Sequence, residues 1–330
     1  MTDSANPRAS QPLPSSAWTH DENQRILRIT GPGTDKFLQG QFSQNLADVT
    51  AAFSPRAAAA TPKGRAYCLT RLVRAGEDVL MSVPADLIDT ISGQLRKYLM
   101  LFRGTSMDVL DDARIFGILG STLATRLSPG QLDALNQPGA SIVLGRHHLI
   151  RTESTAEGLD RFEYWQIGEP SAEHAPIFAA DDDTAAINWQ ASEIAAGIAM
   201  LTDASFEAYV PQMLNWQHVG GVHFKKGCYT GQEVIARMHF LGQLKKSLFR
   251  FSAEGAASPP GTAVMAGEKP VGNVVNSVQL NDGSSEYLAV VRHNMVGTPL
   301  HLETTPDTPL QRLTLPYPVP EQDAAGGPDT

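Results

Sequence analysis

The chain has 330 residues, 42% of them hydrophobic, and a formal net charge of −9. That is enough apolar content for a full core in two or three domains, and the wrong sign for a generally basic nucleic-acid coat. Its two cysteines, Cys68 and Cys228, are too few for a disulfide framework or a Cys-rich metal site, so a reducing, cytoplasmic setting is expected. No stretch reaches the roughly 20 apolar residues of a membrane helix, and the N-terminus lacks the apolar core of a secretory signal.

Residues 1 to 20 are rich in Ser, Pro and Ala and read as a disordered arm. The run Arg25 to Thr30 predicts a strand, Gly31-Pro-Gly33 a turn, and Thr34-Asp35 leading into Phe37, Leu38 and Gln41 a helix. Gly31-Pro-Gly33 begins like a dinucleotide fingerprint, but Lys36 stands where the third glycine would be needed, which argues against a cofactor loop. Arg65 to Val73 and Asp78 to Val83 are β-favouring runs joined by a short turn, the pattern of a hairpin. From Leu87 the apolar residues Ile88, Ile91, Leu95 and Leu99 recur at helical spacing.

Between 113 and 183, short strand signals (115 to 119, 147 to 152, 162 to 167) surround a helix near Leu123 and lead to the acidic run Asp181-Asp182-Asp183, which fits a second mixed α/β lobe. His147 and His148 would point to opposite faces of a strand, so they suit no metal site. A helix follows with a stripe of Ile187, Ala191, Ile194 and Ile198, carrying Trp189 and returning to the first lobe. After Lys246, five short strand signals broken by Gly, Pro, Asn and Asp predict a small antiparallel barrel. The division expected is 21–112 plus 184–243 as one lobe, 113–183 as a second, 244–318 as a barrel, and a disordered tail over 319–330.

The segment Lys225 to Arg250 holds six basic residues against one acid, Glu233. An anionic ligand could use such a patch; a solvated face is the plain alternative. Within it, Thr230 and Glu233 have the spacing of a capping box ahead of Val234, Ile235 and Met238, predicting a helix to about Leu241 with Gly242 as its stop. Cys228 then lies just ahead of a helix start and beside Lys225 and Lys226, surroundings that favour a thiolate. A buried, inert role is the ordinary alternative for a free cysteine.

The run Lys226-Gly-Cys-Tyr-Thr-Gly-Gln-Glu233 resembles the signature of the YgfZ-type folate-binding proteins, a group related to the glycine-cleavage aminomethyltransferases. Phe37-Leu-Gln-Gly-Gln41, Pro62-Lys-Gly64, Trp189, Pro211-Gln212 with Asn215, Gly220-Gly221 and Leu315-Pro-Tyr317 extend the resemblance over roughly 25 to 317. It implies an α+β fold, a three-lobed ring of two mixed α/β lobes and a C-terminal β-barrel, with tetrahydrofolate in its central channel. It further implies a role in maintaining iron–sulfur enzymes and in tRNA modification such as methylthiolation, with Cys228 as the residue associated with activity and Trp189 touching folate. A second folate-contacting tryptophan of the family falls near Gln24 here, so that contact is absent or replaced.

A folate site needs an aromatic slot, amide-type hydrogen bonds and cations for the acidic tail. Trp189, Gln212, Asn215, Lys226, Gln232, Glu233 and Arg237 are the candidates for it. The related transferases use an aspartate in the first-lobe hairpin. Arg65 to Leu72 contains no carboxylate, so glycine cleavage is not expected. Another folate-dependent one-carbon transfer, or a tRNA-binding role for the 225–250 patch, are the alternatives.

Overall fold

The computed structural model describes residues 12–178, 185–240 and 244–319. The expected acidic run 181–183, the helix stop at Gly242 and most of the C-terminal tail lie outside the described residues. In chain order the elements are β1 (Ala17–His20), β2 (Gln24–Thr30), α1 (Thr34–Gln41), β3 (Arg56–Ala60), β4 (Ala66–Ala75), β5 (Asp78–Pro84), α2 (Ile88–Leu99), β6 (Ser106–Val109), β7 (Arg114–Leu119), α3 (Ser121–Leu127), β8 (Ser141–Leu144), β9 (His147–Thr152), β10 (Arg161–Gln166) and α4 (Ala185–Ala195). There follow α5 (Gln232–Phe240), β11 (Lys246–Glu254), β12 (Ala263–Ala266), β13 (Lys269–Gln279), β14 (Ser284–Arg292), β15 (His301–Leu302), β16 (Thr305–Pro309) and β17 (Gln311–Leu313).

Three sheets result. The first runs β3-β4-β5-β2-β6, the second β1-β7-β10-β9-β8 and the third β16-β15-β12-β13-β14-β11-β17, and the pairings are antiparallel. The β4–β5 hairpin and α2 form where their periodicities predict them. Ile91, Leu95 and Leu99 of α2 are buried one turn apart, which is what an apolar stripe at helical spacing accomplishes.

Two expectations are corrected. Ala17–His20 is not part of an arm but an edge strand, paired to β7 with Trp18 opposite Ile118. Trp18 holds it there by edge-on contacts with Phe116 and Phe178, at centroid distances of 5.9 and 5.1 Å. One large aromatic outweighs the Ser/Pro-rich surroundings. The third sheet is a curled sheet with β16 and β17 at the ends of its strand order rather than a closed barrel; β16 approaches β11 across the curl without pairing to it. Helix α4 packs against β1 and β7 of the second sheet and against β13 and β14 of the third. It is therefore a wedge between sheets as well as a contributor of Ala191 and Ile194 to the first lobe's core.

Where the first two sheets meet, an apolar cluster of Ile26, Val73, Leu80, Ile115, Ile150 and Trp165 gives way to a belt of buried charge. Arg56 on β3 forks onto Glu153 at 2.8 to 3.0 Å. Arg71 on β4 reaches Glu163 on β10 at 3.1 Å. Arg161 on β10 pairs with Glu193 on α4. Burial pushes Glu153 upward, but Arg56 and then Arg71 outweigh it and hold its pKa at about 2. Such pairs cost desolvation when formed and several kcal/mol when one partner is removed, so they fix the geometry between the lobes.

Candidate functional site around Cys228

The segment from Pro211 to Phe240 folds over the open end of the first sheet. A 3₁₀ turn at Pro211–Leu214 ends in Asn215, whose φ of 56° is left-handed, a conformation asparagine tolerates better than most residues. The side-chain amide of Asn215 donates to Leu248 O at 2.8 Å, and that of Gln212 to Ile235 O at 2.6 Å. Gln212 and Asn215 thus tie the turn to α5 and β11.

The loop carrying the signature is anchored on both sides of Cys228. The His223 N–H donates to Ser43 O and the Thr230 N–H to Gly40 O. Lys226 turns inward, 7% exposed, and its Nζ donates to Gln39 O and Phe42 O, both at 2.6 Å, while lying 4.9 Å from the centroid of the Tyr229 ring. A cation at the end of α1 meets carbonyls that have no partner inside the helix and the negative end of its dipole. Burial lowers the Lys226 pKa to about 8 and raises that of Tyr229 to about 12. Cys228, between them, is exposed, whereas Cys68 on β4 is buried and its thiol is pushed well up by burial.

The expected capping box does not form. Helix α5 begins at Gln232, and the Thr230 hydroxyl points to Gly40 O and Gln41 Oε1. The carbonyl of α1 competes successfully for it. Glycine makes the loop's closure possible. Gly231 has φ +82°, and a Cβ there would stand 2.6 Å from Thr61 O. The turn holding Pro62, Lys63 and Gly64 therefore presses directly on the start of α5.

The seven candidate folate residues divide into three groups. Gln212, Asn215 and Lys226 are buried and serve as anchors. Gln232 is half-buried at the start of α5, with Glu233 and Arg237 exposed further along it. Trp189 lies apart from these, in the charge belt. Its ring covers Gly117, where an added Cβ would fall 2.2 Å from the indole, and the Arg161 guanidinium sits 4.3 Å from its centroid. Its Nε1 donates to Asp21 at 3.2 Å. Gln24, the position of the missing tryptophan, donates through its amide to Met200 Sδ at 3.1 Å. The basic patch is also smaller than its count of charges. Arg250 is buried against Glu286 and Glu157 and Lys226 is spent on α1, leaving Lys225, Arg237 and Lys245 exposed.

Sequence reasoning missed Asp21, Tyr67 and Trp216. Burial, then the nearby Glu193, raise the Asp21 pKa to about 6 against the opposing hydrogen bond from Trp189. Asp21 is also the carboxylate of the belt that bonds no guanidinium, since Glu153, Glu163 and Glu193 are each paired. Tyr67 Oη, Gln212 Oε1 and Trp216 Nε1 are buried without a hydrogen-bond partner. Native interiors leave few such atoms, and with Asn215 Oδ1 they make four on β4 and the 211–216 segment, polar groups left to meet another polar group. The Arg56 guanidinium, 5.6 Å from the Trp216 ring centroid, links Trp216 to the charge belt. Only the tryptophan following Asn215 could have signalled it in the sequence.

No family model matches the chain. It is 29% identical over 283 residues to the tRNA-modifying protein YgfZ of Cronobacter sakazakii, covering 84% of each chain. It is 28% identical over 300 residues to the tRNA-modifying protein YgfZ of Yersinia pestis (strain Pestoides F), covering 88% of each. Among solved structures it is similar to the glycine cleavage system aminomethyltransferase T from Bartonella henselae, with a TM-score of 0.67 at 15% identity over 92% of this chain and 86% of that one; this likeness shows the fold. The resemblance to YgfZ-type proteins read from the Lys226 to Glu233 signature therefore holds along most of the chain, on an aminomethyltransferase-like fold.

Proposed function

We propose that the chain is a tetrahydrofolate-binding accessory protein of tRNA modification, acting with iron–sulfur enzymes such as tRNA-methylthiolating enzymes. In this reading its three sheets form a three-lobed ring around the folate, and Cys228 is its reactive group. The observation that carries it is the contrast within the signature loop: Lys226 and Tyr229 are buried and bonded while Cys228 between them is exposed. A loop held this firmly, presenting one thiol, suits a group that must meet a partner in fixed geometry. The printed name of the relatives, tRNA-modifying protein, supports the pathway.

The residues fit a reduced pterin. Its neighbouring N–H groups match a carboxylate that faces no guanidinium, and Asp21 beside Trp189 is one. Its carbonyl and ring nitrogens match the unpaired donors Trp216 Nε1 and Tyr67 Oη. The belt's three arginines face three paired glutamates, so its interior cations are neutralised. The acidic tail of folate would therefore turn to the exposed Lys225 and Arg237. When bound, folate supplies a carrier nitrogen for a one-carbon unit; the chain binds and orients it. The hairpin from Arg65 to Leu72 lacks the carboxylate of the glycine-cleavage enzymes, so an accessory role is favoured over aminomethyl transfer.

Calorimetric titration of the full chain with tetrahydrofolate tests this. Saturable binding at one site, weakened by Asp21→Ala, is expected. Absence of binding would end the folate reading.

A further inference from the structure

We propose that the cleft between the β4–β5 and β8–β9 hairpins is a second ligand site, shaped for a nucleoside monophosphate or a phosphorylated molecule of that size. The cleft encloses about 500 Å³ and is lined by Arg28, Arg74, Leu80, Arg146, His148 and Ile167 among others, with no carboxylate in its lining. That volume falls in the range of small-molecule pockets. It lies at the far end of β4 from the Cys228 loop: the 61–64 turn that leads into β4 presses on Gly231, and Arg74 lies near the strand's other end. At ~3.3 Å per residue the two ends are about 25 Å apart. It is thus distinct from the folate reading and does not rest on it.

Three guanidinium groups meet here in a chain whose net charge is −9, and two are held in position. Arg28 is bonded to Asp78. Arg74 donates through Nη1 to Asp35 at 2.8 Å and through Nε to Val49 O at 3.2 Å. Arg146, on the β8–β9 turn, has no carboxylate at ion-pair distance among the described residues; the nearby Asp112 stands beside Gly168, which also borders Arg146.

The observation that points to a ligand is His148. It is 2% exposed, lines the cleft, and its ring makes no hydrogen bond to a described residue. Burial, then the neighbouring His147, hold its pKa at about 4, so the ring is neutral and offers one N–H and one lone pair. A ligand hydroxyl or phosphate oxygen seated in the cleft would pair with that N–H or lone pair. Guanidinium forks match phosphate oxygens two at a time, while Leu80 and Ile167 supply an apolar wall for a base or sugar.

Calorimetry on the full chain with AMP, adenosine and inorganic phosphate tests the assignment, alongside Arg146→Glu and the milder Arg146→Gln. Arg146 is exposed, so both variants keep the wild-type melting temperature. The expected results are saturable AMP binding, at least tenfold weaker binding of adenosine, competition by inorganic phosphate, and at least a tenfold loss with Arg146→Glu. Tetrahydrofolate titrations should be unchanged by that variant. No AMP binding, equal affinity for AMP and adenosine, or wild-type AMP affinity in Arg146→Glu would each overturn the proposal.

Discussion

Gly231 and Gly64 meet at the base of the Cys228 loop, where a Cβ on Gly231 would lie 3.4 Å from Gly64 Cα and 2.6 Å from Thr61 O. Two motifs that are far apart in sequence, Pro62-Lys-Gly64 and the Lys226 to Glu233 run, are therefore one structural unit. Gly231→Ala adds the strain of a left-handed residue to a clash with backbone, and about 2–4 kcal/mol of destabilisation is expected. Gly93→Ala, inside α2 with nothing within 4 Å of its added Cβ, should be neutral or stabilising by up to about 1 kcal/mol. Urea midpoints of the two variants check the contrast.

Lys226 is the second fastening. Lys226→Met leaves the carbonyls of Gln39 and Phe42 without their charged donor, a loss of about 2 kcal/mol. Lys225→Met, at an exposed neighbour, should change stability by no more than about 0.5 kcal/mol. Equal effects of the two substitutions in thermal unfolding would show that the inward lysine does not anchor the loop.

Asp21 gives a pH signature. Its folded pKa of about 6 lies above its ordinary 3.8, so between those values the folded chain holds more protons than the unfolded one. Stability from this group therefore falls as pH rises from about 4 to 6, by on the order of 2 kcal/mol. Glu153 acts in the opposite sense and lower down. Its folded pKa of about 2 against 4.5 gives stability present above 4.5 and lost as pH falls toward 2. Asp21→Asn should flatten the wild-type decline between pH 4 and 6, read from denaturation midpoints across that range.

How far the sequence carries depends on whether a feature is local. The α2 stripe and the β4–β5 hairpin rest on neighbouring residues and were legible, as was the resemblance carried by eight contiguous residues at Cys228. The charge belt was not, because Arg56, Arg71, Glu153, Glu163 and Glu193 are scattered, and each alone reads as a surface charge. Trp18 was hidden by a composition that otherwise suggests disorder. Thr230 had the spacing of a cap but a stronger local competitor in the Gly40 carbonyl. Lys226 shows the same limit: its charge was read as facing a ligand, and it faces α1.

The two thiols should behave as different chemical species. Native-state alkylation is expected to modify one cysteine per chain, Cys228, with Cys68 reacting only after denaturation, since one is exposed and the other fully buried. Mass spectrometry of the labelled protein reads the stoichiometry. Labelling of both under native conditions would contradict the packing of β4.

The most direct test of the account is the level of methylthiolated tRNA in cells that lack the protein and are supplied with either wild type or Cys228→Ala. The account predicts that wild type restores the modification and that Cys228→Ala does not, although the variant folds with wild-type stability and binds tetrahydrofolate with wild-type affinity. Full restoration by Cys228→Ala would contradict it.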